Sequence, residues 1–434
     1  MSSIPNITKN ALGVSVLRLG EHGANKRVWI TNQKLQKTFA KGDKIQVTYL
    51  KDQKCIHIAK SEEKGNHTVS GRQNGIPIID IKNQNVEETF GQDIEKVEVL
   101  FFENEIVIKI AKTEHFKNKR LEKTGLNTFE LFCGAGTLSH FFKREGFNIK
   151  GGLELNEDYL ALFHANNPNE EIYSISGRLE DVHTSYFPKD IDVVLSGIPC
   201  TNYSSSNKKL KEAQKAKREG REYCEEEIKK EFEAESLTFY VLMAIKAMNP
   251  RTVVVEEVVE YAESPASMML RTVLGHMGYQ MSETVEEGKH TKRKRWVLVA
   301  NMGQMVKLDN LIQDDEKTIE DFLETSIEDR VWQTAEENPR VSGMISKGLG
   351  IRSCLPSDTK SNTFTTHSTR HTEPILKHPT QELYSEFTTR EIANIHGISK
   401  DFLLDERKGI SRQVIGQGVT DMFGEVAKRI KEVL

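Results

Sequence analysis

A single cysteine, Cys200, follows a proline in the segment SGIPCTNYS, residues 196–204, just beyond the apolar run Ile191-Asp192-Val193-Val194-Leu195. A thiol in that setting can pack as a small apolar group, ligate a metal, or attack as a nucleophile. A packing cysteine belongs inside the run rather than after it. Pro199 fixes the backbone before the thiol, and Thr201, Asn202 and Ser204 make the loop polar, which is how a nucleophile is presented. No second soft ligand lies near Cys200 in sequence. The five cysteines (Cys55, Cys133, Cys200, Cys224, Cys354) form no CxxC pair, so neither a disulfide framework nor a metal site is expected. Cys354 with His367 and His371 copies only half of a zinc-finger spacing, amid Ser and Thr residues, and is expected to be a solvated loop.

Other residues could serve a ligand. In ELFCGAG, residues 130–136, Gly134 and Gly136 can let backbone amides approach a ligand at a helix N-terminus, although tight packing also calls for glycine. Glu154 closes the next strand, where a carboxylate can accept both hydroxyls of a ribose; an exposed strand-end acid is the alternative. A nucleoside-containing cofactor accounts for both features together. Glu256 and Glu257 end the run TVVVEEV, and adjacent buried acids are costly without work or partners. Arg293 and Arg295 alternate along TKRKRWVLVA, so they point the same way and can hold an anionic or carbonyl-bearing ligand; a solvated strand start is the alternative.

The elements that must position these residues begin near residue 127. Strands NTFELF, IKGGLEL, DIDVVLSG, RTVVVEEV and KRWVLVA alternate with helices through HFFKREG, EDYLALFHANN, SLTFYVLMAIKAM and ASMMLRTVLGHMG. That alternation predicts an α/β fold with a doubly wound, mainly parallel sheet, whose ligands bind beyond the carboxyl ends of the strands.

Residues 1–120 read instead as a small all-β domain of short alternating strands. They are duplicated: TNQKLQKTF (31–39) matches KNQNVEETF (82–90) at an offset of 51, and IQVTYLKDQKCIHIAK (45–60) matches VEVLFFENEIVIKIAK (97–112) at an offset of 52. Residues 113–127, charged and ending in Gly-Leu-Asn, read as a linker. The expected divisions are therefore 1–120, a catalytic domain 125–304, a recognition region 305–380 where the α/β pattern lapses, and 381–434.

Composition sets the limits. The chain has 434 residues, 37% hydrophobic and 29% charged, with no apolar run of membrane-spanning length and no secretory leader at its start, so a cytoplasmic protein is expected. Its net charge is only −4, yet residues 1–60 hold 11 Lys/Arg against 3 Asp/Glu, which points to a polyanionic partner.

The ordered set FELFCGAG, SGIPCTNYS, VEEV, TKRKR and VIGQGVT resembles the DNA cytosine-5 methyltransferases over about residues 128–434. The resemblance implies S-adenosylmethionine as methyl donor, no metal, and double-stranded DNA as partner, bound by a monomer associated with the nucleoid. It implies that Cys200 attacks C6 of a flipped cytosine while Glu256 holds the N4/N3 edge. Arg293 and Arg295 would meet the O2 carbonyl and the neighbouring phosphate. Phe132 would stack on the adenine and Glu154 bind the ribose, with Gly134, Gly136, Leu155, Leu179, Gln417 and Val419 completing the cofactor pocket. Five positions depart from the family pattern: Thr201 and Thr291 stand for Gln, Glu257 and Gln417 for Asn, and Arg178 for Asp. A regulator with an inactive methyltransferase fold and an RNA cytosine-5 methyltransferase are the alternatives.

The resemblance also assigns the flanking regions. The run from Lys208 to Arg221, with seven basic residues including Lys208, Lys209 and Lys211, resembles the loop that closes over DNA, a solvated helical face being the alternative. Residues 305–380 match the target-recognition interval, in which SKGLGIRS and TFTTHSTRH offer base and phosphate contacts. The C-terminal helix, DMFGEVAKRIKEVL, has apolar spacing suited to packing beside the first strand. Each N-terminal repeat, the first above all, resembles the swapped-hairpin DNA-binding domains of the AbrB family. Lys34, Lys37, Lys41 and Lys44 are its expected phosphate contacts, and a barrel used for protein contacts is the alternative.

Overall fold

The computed structural model describes residues 11–434 except Asn32, residues 200–211, 213–214, Tyr223, Asp314 and 367–372; in one helix it describes only the backbone of residues 227–228 and 230–234. The chain divides into two compact units, Met1–Lys119 and Arg120–Leu434.

In the second unit, runs of β-branched residues form a seven-stranded sheet. Its strands, numbered within this unit, are β1 (Asn127–Leu131), β2 (Asn148–Glu154), β3 (Tyr173–Ser176), β4 (Val193–Gly197), β5 (Thr252–Glu257), β6 (Gln280–Gly288) and β7 (Thr291–Asn301). Their spatial order is β3-β2-β1-β4-β5-β7-β6, parallel throughout except for β7, which runs antiparallel between β5 and β6. The order reverses between β1 and β4, the switch point at which such sheets bind ligands. Alternation sends Val193, Leu195, Val254 and Val297 into one apolar layer and Phe129, Leu131, Val194, Val255 and Trp296 into the other. The expected doubly wound sheet is thus present. Its outer strands β3 and β6 are absent from the sequence reading because they lack a buried run: β3 is four half-exposed residues, and β6 carries Glu283, Glu286 and Glu287.

Helices α1 (Thr137–Arg144) and α2 (Glu157–Asn166) follow β1 and β2; α3 (Glu225–Met248) precedes β5 and α4 (Pro265–His276) follows it. The α3 helix starts eleven residues before its apolar stretch at Ser236, inside the charged segment. The segment read as a linker holds a helix, Lys112–Leu121. Its Lys, Glu and Arg residues suit a linker by charge but are good helix formers. Its end is anchored where buried Arg120 donates to Asn249 Oδ1 at 2.6 Å and to the Met277 carbonyl, with its guanidinium 5.2 Å from the Tyr279 ring centre.

Beyond β7 a small four-stranded sheet joins Gln333–Thr334, Leu383–Ser385, Ile375–Lys377 and Ser353–Cys354, beside the helix Pro339–Ser346. Cys354 is buried in the core rather than in a solvated loop, and burial pushes its thiol up to about 12. His367 and His371 lie outside the described residues. Buried Arg330 grips Glu391 with two hydrogen bonds of 2.6 and 2.8 Å. The C-terminal helix Met422–Lys431 packs on α1, with Phe423 and Ile430 in the same cluster as Phe141 and Phe142.

The N-terminal unit holds a six-stranded and a four-stranded antiparallel sheet. Trp29 lies opposite Asp80, its own counterpart at the offset of 51, and Ile56 opposite Ile108, its counterpart at the offset of 52. Two strand pairings centred on equivalent residues relate the repeats by an approximate two-fold axis. Core positions match too: Leu35 and Phe39 answer Val86 and Phe90, all buried.

Candidate active site

The candidate cofactor end of the site lies at the carboxyl edges of β1 and β2. Phe132, just past β1, holds a left-handed backbone at φ 58°, uncommon for a bulky residue and concentrated at functional sites. Gly134 and Gly136 are also left-handed, at 52° and 85°. Their surroundings differ. A Cβ on Gly136 would come within 3.0 Å of Phe163, whereas one on Gly134 would meet nothing within 4 Å. Packing therefore explains Gly136 but not Gly134, which faces open space.

Gly134 N–H donates to Glu154 Oε2 at 2.9 Å, and Asn156 N–H donates to Oε1 at 2.8 Å. Two backbone amides thus aim the carboxylate, and its remaining lone pairs can accept a diol. Leu155 beside it is 61% exposed, a large apolar side chain open to a planar ligand. Leu179 and Val419 are buried, one in each of the two apolar layers. Gln417 is exposed, and the next residue, Gly418, approaches Thr137 at the start of α1 so closely that a Cβ would stand 3.0 Å away. The C-terminal segment therefore meets the glycine turn. Arg178 is exposed and turns to Glu180 Oε1.

Glu130 was not singled out by sequence. It is buried at the end of β1 and accepts from the Ser139 amide at 3.1 Å and from the Ser139 hydroxyl. Burial pushes it from the ordinary 4.5 to about 8, and the nearby Glu154 and Glu256 carboxylates add to the rise. A charged residue inside the apolar stretch FELF was the available signal.

The candidate base end lies at β4, β5 and β7. Gly197 pairs with Glu256 across β4 and β5, so the loop leading to Cys200 leaves the sheet beside that acid. Cys200 itself, with Lys208, Lys209 and Lys211, falls outside the described residues. Glu256 is 7% exposed and receives Arg295 Nε on Oε1 at 2.6 Å. Arg293 and Arg295 have different partners. Arg293 is buried and donates to the carbonyls of Phe364 at 3.1 Å and Gln417 at 3.3 Å, fastening the C-terminal segments to the sheet. Glu257 is 1% exposed and points to the opposite face. His396, fully buried, is held well below its usual range by burial and by Arg293, Arg295 and Arg412.

Elsewhere, Lys34, Lys37, Lys41 and Lys44 are all exposed in the N-terminal unit; Lys34 caps the Val14 carbonyl at 2.9 Å and Lys44 reaches Thr68 Oγ1 at 2.8 Å. Among the described residues no group of His, Cys, Asp or Glu could hold a metal ion, and no helix is long and apolar enough to cross a membrane.

The fold is similar to that of the Dnmt2 methyltransferase of S. pombe, at 16% identity over 71% of this chain and 98% of that one, with a TM-score of 0.54. It is equally similar to the Entamoeba histolytica methyltransferase EhMeth, at 18% identity over 72% and 99% of the two chains, with the same TM-score. At these identities the likeness is one of fold. In sequence, 81 residues are 31% identical to the type II methyltransferase M.NgoPII of Neisseria gonorrhoeae, which is 19% of this chain and 23% of that protein, so the match spans about a quarter of the relative's length. Residues 126–432, which hold every strand of the large sheet, match the C-5 cytosine-specific DNA methylase family, and the chain belongs to that family.

Proposed function

We propose that this protein transfers a methyl group from S-adenosylmethionine to C5 of a cytosine in double-stranded DNA, with Cys200 as the nucleophile. The observation that carries the reading is the buried Glu256, held by Arg295 and paired across the sheet with Gly197, three residues before Cys200. The Cys200 thiolate adds to C6, and Glu256 supports the extra electron density by sharing a proton with N3. Attack needs the base out of the stack, so flipping is part of the reaction. Once C5 is methylated, loss of its proton expels the thiolate and restores the ring. Arg295 orients Glu256 and faces the O2 side, while Arg293 acts through the segments it fastens.

The bound cofactor supplies an electrophilic methyl group. Glu154 is the ribose acceptor, Gly134 the residue that lets its backbone close in, and Phe132 and Leu155 the walls for the adenine. Lys208, Lys209 and Lys211 contact phosphate beside the nucleophile, and residues 305–380 read the target. The two-fold pairing of the N-terminal repeats supports an internal pseudo-dimer of AbrB-like hairpins, with Lys34, Lys37, Lys41 and Lys44 facing the backbone of DNA. The protein acts as a cytoplasmic, nucleoid-associated monomer on DNA.

Incubation with labelled S-adenosylmethionine and either genomic DNA or tRNA, followed by nucleoside analysis, tests this. The expected product is 5-methyldeoxycytidine. Label in tRNA alone makes the protein an RNA methyltransferase, and DNA binding without transfer makes it a regulator.

A further inference from the structure

Glu257 stands where the family pattern carries an amide, and its surroundings do not suit an anion. Side chains alternate along β5, so Glu256 faces Arg295 while Glu257 faces the other layer, across from Trp296 and beside Tyr261. It is 1% exposed. Its Oε2 accepts from the Val258 amide at 2.5 Å, and its buried Oε1 has no hydrogen-bond partner among the described residues. The groups around it are Glu256 on its own strand, Glu260 and Tyr261 on the following turn, and Arg295 on β7. Arg295 is already committed to Glu256.

We propose that Glu257 is a positioning residue that works as a neutral carboxylic acid, the chemical equivalent of the amide it replaces, and so leaves Glu256 without a second negative charge beside it at the end of β5. Ionised, Glu257 would be a bare buried charge, since Arg295 lies on the other face of the sheet and is committed to Glu256. Burial, with the Glu256 charge next to it, holds the Glu257 carboxyl well above the usual range, which agrees. When it ionises at high pH, its charge beside Glu256 disfavours the Glu256 carboxylate and so weakens the pairing with Arg295 that fixes it. The functional consequence rests on the methyltransferase reading; the protonation state does not.

Two measurements on the full chain separate these. Infrared difference spectra of the wild type and Glu257→Gln at neutral pH should contain a protonated-carboxyl band that the variant lacks. In single-turnover methylation, Glu257→Gln should stay within about threefold of wild type at neutral pH, and its rate relative to wild type should rise as pH increases. Glu257→Leu, which cannot accept from Val258, should lose at least tenfold with little change in cofactor affinity. Absence of the carboxyl band, or a Glu257→Gln variant as impaired as Glu257→Leu at every pH, overturns the proposal. A wild type that shows the band but methylates nothing overturns the catalytic reading instead.

Discussion

The two ends of the proposed site are built from different materials. At the cofactor end, Glu154 is aimed by two backbone amides, from Gly134 and Asn156. At the base end, Glu256 is aimed by one side chain, Arg295, in a nearly buried ion pair. Backbone donors belong to the turn itself and survive most substitutions. A guanidinium is removed by one. The cofactor end should therefore tolerate change in its neighbours and lose only binding, whereas the base end should lose rate and stability together.

The largest effects are expected at the base end. Glu256→Gln keeps the shape but not the charge and should reduce single-turnover methylation by about 10²–10⁴-fold with cofactor affinity nearly unchanged. Arg295→Met leaves the buried carboxylate unpaired and should cost about 3–5 kcal/mol in denaturant unfolding as well as activity. Were Arg295→Met as stable as wild type, the ion pair would not be what aims Glu256.

At the cofactor end, Glu154→Ala should weaken S-adenosylmethionine binding by about 1.5–3 kcal/mol in calorimetry, the worth of a hydrogen bond to a charged group. Arg178→Ala should change it little, since that side chain is occupied with Glu180. The reverse ranking would put the adenine contact elsewhere.

Between the two ends, Glu130 gives a pH signature. Its folded-state value, about 8, lies above the ordinary 4.5, so folding takes up a proton in that interval. Its contribution to stability is full below about 4.5 and is lost as pH rises through about 8. Glu130→Gln has no proton to lose, and should flatten the decline by up to about 1.4 kcal/mol per pH unit in melts across that window.

The smallest effect lies outside the catalytic unit. Neutralising Lys34, Lys37, Lys41 and Lys44 should weaken DNA binding alike on all sequences. It should flatten the salt dependence by up to about four phosphate equivalents, with single-turnover methylation at saturating DNA unchanged. Unchanged salt dependence would make the N-terminal unit a protein-contact module. The second repeat has Asn85 and Glu88 where the first has Lys34 and Lys37, so the charge, unlike the fold, is not two-fold.

What could be read from sequence followed burial. Strands β1, β4, β5 and β7 carry Val-rich or Phe/Leu runs that a doubly wound sheet requires, and the residues of interest fall at their ends. Strands β3 and β6 lie at the sheet margins, where hydrogen bonding rather than burial makes the strand, and no periodicity announces them. In the site, residue types were legible but partners were not. Arg293 and Arg295 share a strand face, yet one holds backbone carbonyls and the other a carboxylate, because only Arg295 lies diagonally across from Glu256. The neutral character of Glu130 likewise depends on layers packed from distant segments.

The most direct test of the central claim is covalent trapping. Duplex DNA carrying 5-fluorocytosine at the target position cannot lose a proton from C5, so the enzyme–base adduct should persist. In the presence of S-adenosylmethionine the wild type should yield a denaturation-resistant protein–DNA complex, and the peptide containing Cys200 should carry the nucleotide. Cys200→Ala should bind the duplex yet form no complex and transfer no methyl group. A Cys200→Ala protein that methylates cytosine at the wild-type rate would contradict the account.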